Sequence, residues 1–186
     1  MSSSLAAEQG SLPVFRYHPD PVATGSVAAS DVVCACCHRQ RGFIFVGAVS
    51  VVDDVDGRVC PWCIADGGAA RMFAVEFTGV LWRFLDVSAT VTDEVVHRTP
   101  GFIGWQQERW LHHPRDAAEF HGPAGATELA SLPDALESLR AESAEFEWTD
   151  GLVDEYLSSL RKDGQPTAYL FRCRHCSTHI AYSDFA

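Results

Sequence analysis

The sequence is poor in basic residues and has no long apolar run. Lys+Arg number 14 against 25 Asp+Glu, a net charge of −11, and no basic cluster occurs. Nucleic-acid binding by phosphate neutralisation needs clustered Lys and Arg, so composition argues against it. The apolar stretches are broken by Asp, Gly or Arg and fall far short of the roughly 20 residues that cross a bilayer, so no membrane span is expected. Residues Met1 to Ser11 are small and polar, with neither a positive n-region nor an apolar h-region. No secretory signal is read there, and the chain is expected in the cytoplasm. Walker A, GxGxxG, HExxH and GxSxG patterns are all missing. Asp53, Asp54 and Asp56 resemble part of a calcium loop without its full spacing or its terminal Glu.

What is present is a core-forming composition, 47% hydrophobic over 186 residues, and seven cysteines with eight histidines. Length and composition predict a disordered tail over 1–11 and one α+β domain over 12–186. In a reducing compartment disulfides are disfavoured, so the cysteines call for another role. Six form three CxxC pairs: Cys34 with Cys37, Cys60 with Cys63, and Cys173 with Cys176. Two thiolates separated by two residues on a tight turn can face one ion, and two such turns complete the tetrahedral sulfur shell of a structural zinc.

The first two pairs have suitable intervening sequence. Gly42–Gly47 and Ala48–Val52 are β-branched and aromatic, Asp53–Gly57 supplies turn residues, and Ile64 to Phe77 carries apolar residues at helical spacing. A cysteine turn, short strands and a CxxC opening a helix is the plan of a treble-clef zinc module, here over about 31–78. A rival reading is dithiol redox chemistry at Cys60-Pro-Trp-Cys63, where a helix start would lower a thiol pKa. Cys36 could replace a neighbouring ligand or remain a free thiol.

The third pair lies between alternating apolar runs, Tyr169–Arg172 and Ile180–Ser183, and reads as a hairpin tipped by a rubredoxin-like zinc knuckle. It needs further ligands, for which His112, His113 and His121, or the local His175 and His179, are candidates. The segment 12–33, with Pro13, Pro19, Pro21 and Gly25, is expected to run extended over the surface. A short helix is predicted over 92–98. An amphipathic helix is expected over 131–145 on Leu132, Ala135, Leu136 and Leu139. A second should bury Leu152, Val153, Tyr156, Leu157 and Leu160. Glu137, Glu142, Glu145, Glu147, Asp150, Asp154 and Glu155 make this the densest acidic region. Residues 101–113 combine Trp105 and Trp110 with Gln106, Gln107, Glu108 and Arg109. They could line a ligand pocket, or spend their polar groups on exposed backbone.

Taken in order, Leu12–Pro21, Ala23–Ser26, Cys34–Cys37, Cys60–Gly67, Thr99–Phe102, Gly104–Trp110, Tyr169–Cys173, Cys176 and Tyr182–Phe185 resemble the bacterial CbrC-like proteins, a largely uncharacterised family named for a member linked to colicin tolerance. The resemblance implies further cysteines shortly after the Trp-rich motif, completing a second four-cysteine site. This chain has Pro114 and Ala118 there, so ligation passes to His112, His113 or His121, of which His113 joins the expected set. The expected ligands are therefore Cys34, Cys37, Cys60 and Cys63 for one zinc, and Cys173, Cys176 and His113 for a second. The expected function is non-enzymatic: a zinc-stabilised protein that binds another protein, with a basic toxin as a conceivable partner for its acidic surface. The alternatives are an enzyme with Glu108 as acid or base and Arg109 orienting an anion, and the dithiol oxidoreductase.

Overall fold

A computed structural model of the chain describes residues 11–47, 57–80 and 87–185, the side chain of Glu145 excepted. The expected strand at 48–52, the turn at Asp53, Asp54 and Asp56, and the tail before Ser11 lie outside these residues. Helices and antiparallel sheet occur together, the mixed α+β class that the sequence predicts. No helix among the described residues is long and apolar enough to cross a membrane.

The amino-terminal part is built from small elements. Strand β1 (Val27–Ala29) pairs antiparallel with β2 (Phe43–Phe45), whose apolar residues fit a half-buried pleat. Residues 58–60 then run extended beside β2, with the Phe45 N–H donating to Val59 O at 2.9 Å. Helix α1 (Pro61–Ala65) starts on Pro61, whose missing N–H costs nothing in the first turn. The single helix suggested by the spacing after Cys63 is in fact two. Gly67 adopts φ +69°, which breaks the chain before α2 (Gly68–Phe73), and Phe77 lies beyond both helices. Phe15, Ile44, Phe45, Ile64 and Phe77 form the core here.

The expected surface course of 12–33 is corrected by burial. Phe15, Tyr17 and His18 are inside, because their rings fill the space between the amino-terminal elements and the carboxy-terminal sheet. His18 Nδ1 lies 2.7 Å from Pro100 O, which can only accept, so that nitrogen carries the proton. Nε2 then accepts from the Thr24 hydroxyl at 2.6 Å. The buried ring is thus satisfied as the neutral tautomer.

Helix α3 (Ala89–Arg98) is capped by Ser88, whose Oγ accepts from Val91 N–H, and it reaches three residues earlier than the acidic-to-basic pattern suggests. The carboxy-terminal sheet has the order β3-β4-β5, all antiparallel: β3 (Glu119–Ala124), β4 (Thr167–Arg172) and β5 (His179–Asp184). The β4–β5 pair is the hairpin that its alternation predicts. A bulge at Phe120/Gly122 places His121 out of register. Phe102, Trp110, Phe120, Phe171 and Tyr182 form an aromatic core against the sheet, with the rings of Phe102 and Phe120 stacked at 4.0 Å.

After the short helix α4 (Ala126–Leu129) come the two predicted amphipathic helices, α5 (Pro133–Ser143) and α6 (Asp150–Ser159). Ala135, Leu139, Val153, Leu157 and Leu160 are buried as expected. Leu152 is not: it sits in the first turn of α6, 45% exposed. Helix α5 lies along β5, its Ser138 Oγ donating to Ala181 O at 3.0 Å and Glu142 Oε2 accepting from Ser183 N–H at 3.0 Å.

Two glycines mark opposite limits of this packing. A Cβ on Gly101 would penetrate the carbonyl oxygen of Phe77, whereas one on Gly151 in α6 would meet open space. Gly101→Ala is expected to lower the unfolding free energy by about 2 kcal/mol or more, and Gly151→Ala to raise it by about 0.5–1 kcal/mol, in urea titrations. Burial holds the pKa of His18 down to about 4. The unfolded state, titrating near 6.5, binds the extra proton first, so stability is complete above about pH 6.5 and falls toward pH 4, by roughly 3 kcal/mol at most. His18→Asn should flatten that part of the stability–pH curve, and an unchanged slope would contradict the assignment.

Candidate metal centres

The first centre joins two segments. Residues 33–40 form a tight turn closed by the Val33–Gln40 bridge, with Cys34 N–H donating to Arg39 O at 2.9 Å and His38 N–H to Cys34 O at 2.8 Å. His38, directly after Cys37, takes φ +54°. This turn presents Cys34 and Cys37 on one side. Cys60 stands just before α1 and Cys63 in its first turn, so both face the same space. Ala35 N–H donates to Arg58 O at 2.8 Å and Cys60 N–H to Cys34 Sγ at 3.3 Å, which locks the two segments together.

The four sulfurs all lie within 4.8 Å of one another. The distances Cys34 Sγ–Cys63 Sγ and Cys37 Sγ–Cys60 Sγ are both 3.9 Å, and each crosses from one segment to the other. A tetrahedral zinc with Zn–S bonds of about 2.3 Å has sulfurs about 3.8 Å apart, so the group fits that ion with little adjustment. Cys34, Cys60 and Cys63 are buried and Cys37 is partly so. The hydrogen bond with the Cys60 thiol, helped by backbone N–H groups, holds the Cys34 thiol down to about 4 against its burial. Cys60 is pushed up by that same bond, and Cys63 by burial. A divalent cation would hold all four as thiolates. Cys36 stays outside the group, against Gly68 at the start of α2, its thiol pushed up by burial.

The tip of the β4–β5 hairpin repeats the first turn bond for bond. Cys173 N–H donates to Thr178 O at 2.8 Å, Ser177 N–H donates to Cys173 O at 3.0 Å, and Ser177 takes φ +61°. Facing it is a second hairpin, closed by the His112–Ala117 bridge and by His113 N–H donating to Asp116 O at 2.9 Å. It brings His113 to the cysteines. The His113, Cys173 and Cys176 ligand atoms lie within 4.8 Å of one another, with Cys176 Sγ 3.6 Å from His113 Nδ1. Thr178 Oγ1, 3.1 Å from Cys176 Sγ, lowers that thiol's pKa. The other candidate histidines are placed elsewhere. His121 projects from the bulge toward Glu119, His175 pairs with Asp116, and His179 sits in β5 opposite Arg172. His112 lies outside the ligand group.

The Trp-rich segment spends most of its polar groups on structure. Trp105 Nε1 donates to Thr167 Oγ1 at 3.0 Å, Gln106 Nε2 to Phe185 O at 2.7 Å, and Trp110 Nε1 to Ala118 O at 3.0 Å. Arg109 pairs with Glu142 and covers the Tyr182 ring at 4.1 Å, so it is not free to orient an anion. Glu108 alone keeps a functional aspect. It is half-buried, its carboxyl pushed up by burial, on an open recess of about 390 Å³ with Ile103, Gly104 and Gln106. Asp116 was not singled out from the sequence. Only the fold brings Tyr17 Oη, Arg174 Nη1 and His175 Nε2 onto its carboxylate, at 2.7, 3.1 and 3.0 Å.

Comparison with known proteins gives one family. The profile of an uncharacterised protein family, UPF0167, matches residues 12–185. UPF0167 proteins of Mycobacterium bovis and Mycobacterium tuberculosis are each 51% identical over 176 residues, 94% of this chain and 94% of theirs. One from Pseudomonas aeruginosa is 40% identical over 177 residues, 94% of this chain and 97% of its own. No solved structure matches.

Because Cys60 belongs to the four-sulfur group and Cys36 does not, their serine variants should separate. Cys60→Ser is expected to lose one metal equivalent by elemental analysis and about 3 kcal/mol or more of stability. Cys36→Ser should keep both. Equal metal content in the two variants would contradict the ligand assignment.

Proposed function

The chain belongs to the UPF0167 family of uncharacterised proteins, and on that footing we propose that it is a zinc-stabilised, cytoplasmic, non-enzymatic protein that acts by binding another protein. The observation that carries this reading is the four-sulfur group. A complete tetrahedral thiolate shell suits zinc, leaves no coordination position for a substrate, and contributes folding energy. The turn, strand and helix order around it supports a treble-clef module, and the matching turn at Cys173 supports a zinc knuckle. Close sulfur approaches across the two segments favour metal binding over dithiol exchange within Cys60–Cys63.

The partner proposed is basic. Support comes from the net charge of −11 and from the exposed Glu137, Glu147, Asp150, Asp154 and Glu155 of the α5–α6 region, beside the exposed Phe146 and Leu152. Tolerance toward a basic toxin rests on the CbrC-like resemblance alone. One observation favours an enzyme instead, the raised Glu108 carboxyl on its recess. Of the expected set, Arg109 and Gln106 are already engaged in structural contacts, and Gln107 is exposed.

The test is the salt response of a captured complex. A basic protein retained from a cell extract should lose roughly tenfold in affinity when ionic strength is raised severalfold, and again when Glu147, Asp150, Asp154 and Glu155 are neutralised to Gln or Asn. Retention of acidic partners only, or affinity indifferent to both changes, would count against this reading.

A further inference from the structure

The two cysteine-bearing turns share their backbone but not their completion. The first meets a second CxxC and closes on four sulfurs. The other meets a single histidine, and among the described residues the group comprises three ligand atoms. Thr178 Oγ1 lies 3.1 Å from Cys176 Sγ, but a neutral hydroxyl is not among the usual zinc ligands. Asp116 accepts from Tyr17, Arg174 and His175, so the local carboxylate and the local imidazole are engaged with one another. Exposure differs in the same sense. Cys173 is buried, His113 is partly so, and Cys176 is exposed, so this group reaches the surface on its Cys176 side.

We propose that His113, Cys173 and Cys176 form an open metal centre, which holds a zinc-type divalent cation on three protein ligands and takes a thiolate from solution as the fourth. The inference rests on the reading of this group as a metal centre. Three protein ligands plus an exchangeable one is the stoichiometry of zinc sites that bind a substrate, in contrast to closed structural sites. Two thiolates and a neutral imidazole just balance the ion's charge. The same hairpin carries Arg172, whose Nη2 is 2.8 Å from Ser177 Oγ, a positive charge beside the turn that favours one further negative ligand. Sulfur already in the shell marks the site as soft, which favours a thiolate over oxygen anions. In the exchange, the incoming thiol gives its proton to solvent, its sulfur bonds the cation and a bound water leaves. No electron is transferred.

The full chain loaded with cobalt(II) tests this. Two equivalents should bind. Titration with 2-mercaptoethanol should shift the visible bands of one equivalent and raise its sulfur-to-cobalt charge-transfer absorption by about half, as two thiolates become three, leaving the other equivalent unchanged. Cys176→Ser, at an exposed position that leaves the core intact, should remove that equivalent and the response together while the first remains. Two equivalents with no response to thiol would overturn the open position and leave the metal centre standing. Uptake of one equivalent by the unmodified chain would overturn the centre itself. An equal or larger response to azide would overturn the thiolate preference.

Discussion

Four sulfurs within 4.8 Å of one another repel if ionised and bond poorly if protonated, an arrangement that a cation would stabilise. The described elements of the amino-terminal part are short. Its helices α1 and α2 contain five and six residues, too short to persist alone, and its strands contain three. Among the described residues the sulfur group is drawn from two segments, 33–40 and 58–65, and a tetrahedral ion between them would fix the turn, the extended stretch beside β2 and the start of α1 together. The apolar cluster of Phe15, Ile44, Phe45 and Phe77 packs around that link.

The carboxy-terminal part is stabilised differently. Its three strands are six residues each, its core is aromatic, and Trp110 is buried with its N–H bonded to Ala118 O. Burial on this scale, about 1.5–3 kcal/mol for each large side chain, holds a sheet without an ion. The His113, Cys173 and Cys176 group therefore sits at the tip of a sheet with its own core. The four-sulfur group lies among short elements and is mostly buried, whereas the three-atom group is more exposed.

The convergence of Cys34, Cys37, Cys60 and Cys63 was legible from spacing, because two CxxC turns with 22 residues between them suit one shared site. The β4–β5 hairpin and helices α5 and α6 were legible from period alone. The break between α1 and α2 was legible only in part: Gly67-Gly68 weakens the helical pattern there, and the left-handed backbone of Gly67 turns that weakness into a helix end. The burial of Tyr17 and His18 was hidden by the prolines and polar tips around them. For His113, sequence offered several histidines, and the resemblance narrowed them. The deciding fact is the tight hairpin that turns His113 toward Cys176 and leaves His112 outside the group. The polar groups of Gly104–Trp110 fit either a pocket or a backbone seal, and only the positions of Phe185, Thr167 and Glu142 decided between them.

The contacts of Ser138 and Glu142 with β5 reach beyond the stability of one helix. They occupy backbone groups on the outer margin of the three-stranded sheet, and at the opposite margin Phe120 N–H donates to Tyr17 O at 2.8 Å. An extended peptide that tried to join this sheet as a fourth strand would meet helix side chains on one side and the chain's own amino-terminal segment on the other. Recognition at this half of the molecule is therefore confined to side chains and surface shape, and the same coverage guards the sheet against end-to-end polymerisation.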